Sequence, residues 1–391
     1  MAAPRDEAPG ERSRWTERDA SCQRLAIELA ARGRELVSPN PVVGAVLVRR
    51  GRVIGKGYHG AFGGPHAEVE ALRDAVRKGH NPAGADLYVT LEPCGHQGKT
   101  PPCSEAVIAA KVRRVYFGAR DMHPITRGLG LRHLRRSGID VRGGLLGAEC
   151  EAQNRPYFHW LETGLPWTII KWSMTLDGRT ATASGESRWI TGSLARAHAH
   201  SLRRRVDAIV VGTETALRDD PLLTPRPSRG RRPLRVILDR RGRLPLDLKL
   251  LAPQADRGTE AGARLYVASP RVSARRLRTL ESRGLSVLLV PERGDRLDLR
   301  FLFRRLGKMQ VSQLLVDGGA HLVGSVLAQG LAQEVAAYIA PRLLGGGDAR
   351  PAIEGWHPAR LIETPWIAAP QVVHLGGDLL LQGEVAKAPR R

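Results

Sequence analysis

Cysteine is scarce, with four in 391 residues at Cys22, Cys94, Cys103 and Cys150. That is too few for a disulfide framework, and a chain of this length buries a large core without covalent staples. Aromatic residues make up only 5%, which argues against the stacking platforms that bind single-stranded nucleic acid. No apolar run approaches the roughly 18 to 20 residues that span a bilayer. The opening MAAPRDEAPGERSRW is charged and lacks an apolar centre, so it does not read as a secretory signal. No internal repeat is visible, which excludes a solenoid or propeller. A soluble, cytoplasmic protein without a membrane partner is expected.

Hydrophobic residues at 42% and charged residues at 26% are ordinary for a globular chain. At roughly 150 residues per domain the length suits two or three domains. Lys and Arg number 61 against 39 Asp and Glu, a formal charge of +22. Such an excess suits nucleic acid, nucleotides or sugar phosphates, and equally suits an Arg-rich surface. It is not gathered into one tail, so charge alone does not choose the partner.

Residues 1–14, small and charged, read as a disordered lead-in. A helix follows Thr16 and stops at Gly33. VVGAVLVRR and RVIGKGYH read as a hairpin hinged at Gly51, followed by a helix from about His66 to Gly79. DLYVTL and RRVYFGA are strands, SEAVIAAK and RGLGLRHLRRSG helices, and IDVRGG a last strand. This alternation implies a layered α/β domain. A second α/β unit begins near residue 165, with strands WTIIKWSMT, DAIVVG, LRVILD, ARLYVAS, LSVLLVP, QLLVDGG, EVAAYIAPRLL and VVHLGGDLLLQG. Its last strands follow one another with little helix between them, so its sheet should end antiparallel.

The sharpest chemical signal is HAEVEAL at 66–72 together with LEPCGHQGKTPPC at 91–103. Catalytic zinc takes three protein ligands from N and S donors and keeps one position open. His66, Cys94 and Cys103 supply such a set, each at the edge of a strand or helix, and helix starts favour thiolate. Glu68 is placed to face the open position, as the proton carrier of zinc deaminases does. A closed, structural zinc site would need a fourth ligand, for which His59 and His96 are the nearby candidates. The cysteines are nine residues apart, not the three of many nucleic-acid and nucleoside deaminases, so a base deaminase with an accessory nucleotide-binding domain is the weaker alternative. A non-enzymatic, zinc-stabilised nucleotide-binding protein is a third, disfavoured by Glu68.

PNPVVGAVLV, GYH, PHAEVEAL, YVTLEPCGHQGKTPPC, TLDGRTATASGESRWIT and DDPLLT together resemble the bifunctional riboflavin biosynthesis proteins, which join a deaminase to a reductase. The resemblance runs from residue 16 to 385. It implies a cytidine-deaminase-like three-layer domain at 15–160 and a dihydrofolate-reductase-like domain at 165–388. The first would remove the 2-amino group of 2,5-diamino-6-ribosylamino-4(3H)-pyrimidinone 5′-phosphate. His66, Cys94 and Cys103 would bind one Zn²⁺, with Glu68 catalytic. Asn40 and His59 would meet the pyrimidine, and Lys99 and Thr100 the sugar phosphate. Three departures bear on substrate contacts. His123 stands where the family usually has Asn, Leu129 replaces a basic residue, and Gly95 replaces Ser or Ala after the LEPC motif.

In the second half the residues alone say little. Asp219-Asp220-Pro221 reads as a helix cap, and Arg203-Arg204-Arg205 as a solvated helix face. VDGGAHLVGSVL can cradle phosphate where a strand meets a helix, without a Rossmann fingerprint. The resemblance adds NADPH-dependent reduction of the ribosyl chain to ribityl. It implies cofactor contacts at Ser173, Trp189, Thr215 and Asp219 and along a 319–325 loop of Gly319, Ala320, His321, Leu322, Val323, Gly324 and Ser325. Ser187, Arg203, Leu223, Arg226 and Asp317 would touch the substrate. Asp317 stands where the family commonly has Glu, and Arg240 where it has a small polar residue. The expected partner is a small phosphorylated pyrimidine rather than nucleic acid, in a chain that could form a homo-oligomer.

Overall fold

The computed structural model describes residues 15–98, 101–124, 126–226, 232–252 and 263–387, and divides the chain into two compact units, Met1–Thr163 and Gly164–Arg391. The lead-in expected at 1–14 lies outside the described residues, as do Lys99 and Thr100.

The first unit runs α1 (Glu17–Ala31), β1 (Gly44–Arg49), β2 (Arg52–Tyr58), α2 (Ala67–Arg77), β3 (Asp86–Leu91), α3 (Cys103–Ala109), β4 (Arg114–Ala119), α4 (Leu129–Arg136), β5 (Asp140–Gly143), α5 (Gly147–Gln153) and α6 (Arg155–Thr163). Its five strands are ordered β2-β1-β3-β4-β5, with β1 antiparallel to both neighbours and β3, β4 and β5 parallel. Thr16 caps α1 through a box in which its hydroxyl accepts the Asp19 amide and the Asp19 carboxylate accepts the Thr16 amide. A cap of this kind stabilises the helix by about 1 kcal/mol. The β1–β2 hairpin turns through Arg50 and Gly51, both at positive φ, as a tight two-residue turn of this hand requires. Ala45, Leu47, Leu87, Val89 and Val115 are fully buried between the sheet and α2–α4, each large aliphatic side chain stabilising by roughly 1.5–3 kcal/mol. A Cβ on Gly57 would come within 2.3 Å of the Ala67 carbonyl oxygen, so only glycine lets the first turn of α2 lie this close on β2. That contact sets the position of His66 and Glu68.

Helices α5 and α6 were not expected from the sequence. Pro156 sits at the second residue of α6, where its missing N–H costs nothing. Asn154 between the two helices donates to the Val42 carbonyl and accepts the Val42 amide at 2.9 and 2.8 Å.

The second unit contains β6 (Trp167–Thr175), β7 (Arg179–Ala181), α7 (Ser193–Arg205), β8 (Ala208–Gly212), α8 (Thr213–Asp219), β9 (Leu234–Leu238), β10 (Arg264–Ala268), α9 (Ala274–Glu281) and β11 (Ser286–Leu289). There follow β12 (Glu292–Arg293), β13 (Arg296–Leu297), α10 (Leu299–Lys308), β14 (Gln313–Asp317), α11 (Ala320–Ala328), β15 (Glu334–Ala340), β16 (Arg350–Pro351), β17 (Pro365–Leu375) and β18 (Asp378–Lys387). A nine-stranded sheet is ordered β11-β10-β9-β8-β14-β6-β15-β18-β17, parallel from β11 to β15 and antiparallel for the last two strands. The segment VVHLGGDLLLQG, expected as one strand, is instead the tip of the β17–β18 hairpin. Gly376 takes φ 71° at the turn, a conformation glycine adopts without strain. Separate apolar cores cover the two faces of the sheet, and the parallel strands send their carboxyl ends to one edge, where ligands of open α/β sheets bind.

Candidate active sites

In the first unit the ends of three elements converge. His66 is the residue before α2, Cys94 follows β3, and Cys103 opens α3. The Cys103 Sγ lies 2.8 Å from His66 Nδ1 and 3.4 Å from Cys94 Sγ, and Cys94 Sγ lies 3.5 Å from His66 Nδ1. Zinc bonds of about 2.0–2.3 Å in tetrahedral array imply donor separations of about 3.4–3.8 Å. The thiols are unpaired in the covalent sense, and these are the three donors that cluster among the described residues. Such a set suits zinc. Cys94 is drawn well below the ordinary thiol range because the Cys103 thiol, His66 and the Cys103 amide (3.2 Å) all donate to it, while Cys103 keeps the shared proton and is pushed up.

Glu68 is on the buried face of α2, 3% exposed, and burial pushes its carboxyl up to about 7 against the pull of His66. A buried acid of that affinity can both take and give a proton near neutrality. The possible fourth ligands are elsewhere. His96 is exposed and outside the cluster. His59 has both ring nitrogens engaged, Nδ1 at 3.0 Å from the Pro65 carbonyl and Nε2 at 3.1 Å from the Asn40 amide nitrogen. Since a carbonyl only accepts, His59 donates from Nδ1 and accepts from Asn40 at Nε2, which leaves the Asn40 amide oxygen as the acceptor for a ligand.

Glu92, which lies in the LEPC motif but has no role in the sequence reading, is buried beside Cys94 and accepts the Gly128 amide. It thereby ties the turn carrying His123 to the metal-binding segment; Asp121 holds that turn from inside through the His123 amide at 2.9 Å. The Gly95 departure also has a steric reason. A Cβ there would lie 2.5 Å from the Gly130 nitrogen, because the start of α4 rests on this strand end.

In the second unit a cavity of about 990 Å³ opens at the carboxyl ends of β6, β8, β9 and β14. Ser173, Ser187, Thr215, Asp219, Asp317, Gly319, Ala320, His321, Leu322 and Ser325 line it. Gly318 and Gly319 both have positive φ, and a Cβ on Gly319 would sit 3.0 Å from the Thr215 hydroxyl, so the backbone passes close to α8 here. Residues 320–325 are not a loop but the first turns of α11. A helix presents one face, so Val323 is buried in the core, and a Cβ on Gly324 would meet the Glu354 carbonyl at 2.0 Å. Asp219 ends α8 and the cap is Asp220 at φ 40°, with burial raising the Asp219 carboxyl.

Asp317 is 7% exposed and anchors an ion triad. Lys171 Nζ reaches one oxygen at 3.2 Å, and Arg203 Nη2 and Nε reach the other at 2.6 and 2.9 Å. Burial would raise this carboxyl, but the two cations override it and hold it well below the usual range. Lys171 lines the cavity and was missed in the sequence; its one signal is a lone charge inside the apolar strand WTIIKWSMT. Arg240, Arg241 and Arg243 also line the cavity, with Arg243 paired to Glu214 and Arg240 3.6 Å from Glu292. Cations of this number, with a glycine turn leading into a nine-residue helix, suit a dinucleotide with several phosphates.

Of the expected contacts, Arg203, Val323, Gly324, Trp189, Leu223 and Arg226 lie outside the lining of that cavity. Trp189 is 63% exposed under the Arg196 guanidinium at 4.4 Å, in a separate depression of about 520 Å³. Leu223 is buried in the core, so it has only backbone to offer a ligand. Arg226 is exposed, and its carbonyl accepts Arg204 Nη1 at 3.2 Å.

Residues 16–119 match the cytidine and deoxycytidylate deaminase zinc-binding region, and residues 166–375 match the RibD C-terminal domain. The chain is 39% identical to riboflavin biosynthesis protein RibD of Escherichia coli K12 over 374 residues, covering 91% of this chain and 96% of that one. It is 38% identical to RibD of Actinobacillus pleuropneumoniae, covering 93% and 94%. Among solved structures it is similar to Acinetobacter baumannii RibD, with TM-score 0.82, 34% identity and coverage of 95% and 99%. The Thermotoga maritima diaminohydroxyphosphoribosylaminopyrimidine deaminase/5-amino-6-(5-phosphoribosylamino)uracil reductase matches with TM-score 0.82 and 31% identity over 95% of this chain.

Proposed function

The chain belongs to the RibD family of bifunctional riboflavin biosynthesis enzymes, and from that premise we propose which of its residues perform each step. The enzyme uses zinc to deaminate 2,5-diamino-6-ribosylamino-4(3H)-pyrimidinone 5′-phosphate hydrolytically. It then uses NADPH to reduce the ribosyl chain, through a cytidine-deaminase-like unit followed by a dihydrofolate-reductase-like one.

The observation that carries the deaminase assignment is the cluster of His66, Cys94 and Cys103 with Glu68 buried against it. These three residues would hold the metal. Zinc, when bound, supplies a water acidic enough to attack at neutral pH. Glu68 accepts a proton from the attacking water and delivers one to the leaving amine, a shuttle that its carboxyl near 7 suits. Asn40 accepts from the pyrimidine through its amide oxygen, oriented by His59. Lys99 and Thr100 are assigned to the sugar phosphate on the resemblance alone.

In the second unit NADPH, when bound, supplies the hydride. Ser173, Thr215, Asp219 and the exposed face of α11 from Gly319 to Ser325 line the cavity that would position it. Trp189 would be reached only by a part of the cofactor extending beyond the cavity. Asp317, kept ionised by Lys171 and Arg203, is set to accept from a hydroxyl of the sugar chain. Ser187, Arg203, Leu223 and Arg226 are assigned to the substrate's phosphate end.

No helix among the described residues is long and apolar enough to cross a membrane. A cytoplasmic setting, which keeps thiols reduced, suits the two free cysteines of the metal cluster. The long edge strand β17, with Trp366, Val372 and Val373 exposed, suits a homo-oligomer. The test of the function is incubation with the diaminopyrimidine phosphate, with and without NADPH, followed by mass. The deaminated product should appear in both and the reduced product only with NADPH; unchanged substrate in both would refute the assignment.

A further inference from the structure

Neither Arg203 nor the histidine one turn before it lines the cavity that Asp317 borders. His200 Nδ1 stands 3.4 Å from Arg203 Nη1. A guanidinium only donates, so Nδ1 is the acceptor, and the neutral ring carries its proton on Nε2. Arg203 is thereby engaged at all three nitrogens: Nε and Nη2 on Asp317, Nη1 on His200 and, at 3.5 Å, on the Thr224 carbonyl. The charges that face His200 come from each element around it. The strongest are Arg203 on its own helix, Arg226 after α8, Lys171 on β6 and the Asp317 carboxylate on β14, with Asp219 at the end of α8 coupled in turn to Asp317 and Lys171. Cations outnumber carboxylates here, so the surroundings of the ring are net positive. Burial pushes the ring down to about 4, with those cations adding to the fall, so it is neutral in the unliganded protein at pH 7.

A phosphate monoester carries about −1.5 to −2 at pH 7, the sign this net positive cluster attracts. An ester oxygen that reaches Arg203 Nη1 also meets His200 Nδ1. A neutral acceptor nitrogen there repels the oxygen, whereas a protonated one donates to it.

We propose that His200 is a further substrate-binding residue of the reductase unit, taking up a proton from solvent as the substrate's phosphate enters, so that imidazolium and guanidinium donate to it together. The proposal rests on the assignment of that phosphate to Arg203 and Arg226. One proton moves from solvent to Nδ1 and Nε2 keeps its own; no other covalent bond changes, and the Arg203 Nη1–Nδ1 hydrogen bond gives way as both groups turn their donors to the phosphate. His200 thus holds Arg203 in place while the site is empty and becomes a phosphate ligand when it fills.

Calorimetric titration of the full chain with ribose 5-phosphate, in two buffers of different ionisation heat, counts the protons exchanged. It is run at about pH 7.5, where the ester, with a second pKa of about 6, is nearly all dianion. Net uptake by the wild type, absent from His200→Gln, is the expected result. The glutamine amide takes up no proton in this range, while its side-chain oxygen still accepts from Arg203. The variant should bind about tenfold more weakly, the scale of one charge-assisted hydrogen bond. Zero uptake by the wild type overturns the proposal even if the variant does not fold, and so does equal uptake by wild type and variant. If Arg203→Ala and Arg226→Ala bind ribose 5-phosphate as tightly as the wild type, the phosphate assignment falls, and this proposal with it. Weakened binding by those two with unchanged uptake in His200→Gln overturns only the role of His200.

Discussion

The two units hold their chemistry in opposite ways. In the deaminase unit the metal donors and the acid lie within two short motifs, and the nearest tertiary support, Gly57 under α2 and Glu92 beside Cys94, stands close in sequence to one of them. In the reductase unit the central triad joins β6, α7 and β14, with Lys171 and Asp317 separated by 146 positions. Zinc chemistry needs particular elements at particular atoms, so it leaves a signature in the residue string. Hydride transfer asks the protein mainly to align two ligands, and a cavity built from several strand ends can do that with ordinary residues.

The sharpest way to break that contrast is to strike each centre and read both activities in one preparation. Cys94→Ser should lose the metal on dialysis and all deamination with it, and full zinc content would remove Cys94 from the ligand set. Glu68→Gln should keep zinc and lose deamination by at least ~100-fold, the usual scale of acid–base catalysis. Reduction of the deaminated substrate should continue in both.

Asp317→Asn strikes the other centre. It strands two partly buried cations, at a cost of about 3–5 kcal/mol, so reduction should fail and the reductase unit should melt earlier by calorimetry while deamination survives. The pH dependence follows from the depressed carboxyl. A group whose folded pKa lies below its unfolded value, about 3.9, stabilises fully above that value and loses the contribution as pH falls toward the folded one. Denaturant titrations should therefore show wild type losing part of its advantage over Asp317→Asn below about pH 4. An advantage that stays constant through that range would mean the triad is not the source.

Smaller effects sharpen the comparison within the second unit. Arg203→Ala and Arg226→Ala should raise the KM for the deaminated substrate by about 10- to 150-fold, equivalent to roughly 1.5–3 kcal/mol, and leave the KM for NADPH little changed. Arg203 should give the larger effect, since its loss also removes its two hydrogen bonds to Asp317 and leaves only Lys171 on that carboxylate, whereas Arg226 is exposed. Unchanged KM in both would take them out of the site. The smallest effect is expected from His123→Asn, which restores the family pattern in a turn held mainly by Asp121 and Glu92. Deamination should be equal or higher and reduction unaffected; a large fall would show that His123 has a role of its own.

Most strands of both units are legible because they are apolar runs punctuated by glycine, and the metal cluster because its residues are rare and closely spaced. What escaped has physical reasons. The break at Gly376 was hidden because β17 and β18 are both apolar and only two glycines part them. Helices α5 and α6 were hidden by Pro156, which suggests interruption but sits in a first turn. Lys171 carries no motif, and its meaning comes entirely from the partners that β14 and α7 bring to it. The 319–325 segment looked uniform in sequence, but helical geometry turns Val323 away from the cavity.

Lys171 also matters before the protein is finished. Strand β6 is synthesised first among the reductase strands, yet its neighbours in the sheet are β14 and β15, which begin at Gln313 and Glu334. It cannot close on β8, whose partners are β9 and β14. Throughout that interval an apolar segment containing Trp167, Ile169, Ile170, Trp172 and Met174 waits without its ladder, the condition under which nascent or refolding chains pair with one another. A single ammonium at its midpoint makes such stacking unfavourable, as gatekeeper charges do. The residue that fixes the carboxylate of the reductase triad is thus also the one charge on a strand whose sheet neighbours are made long after it.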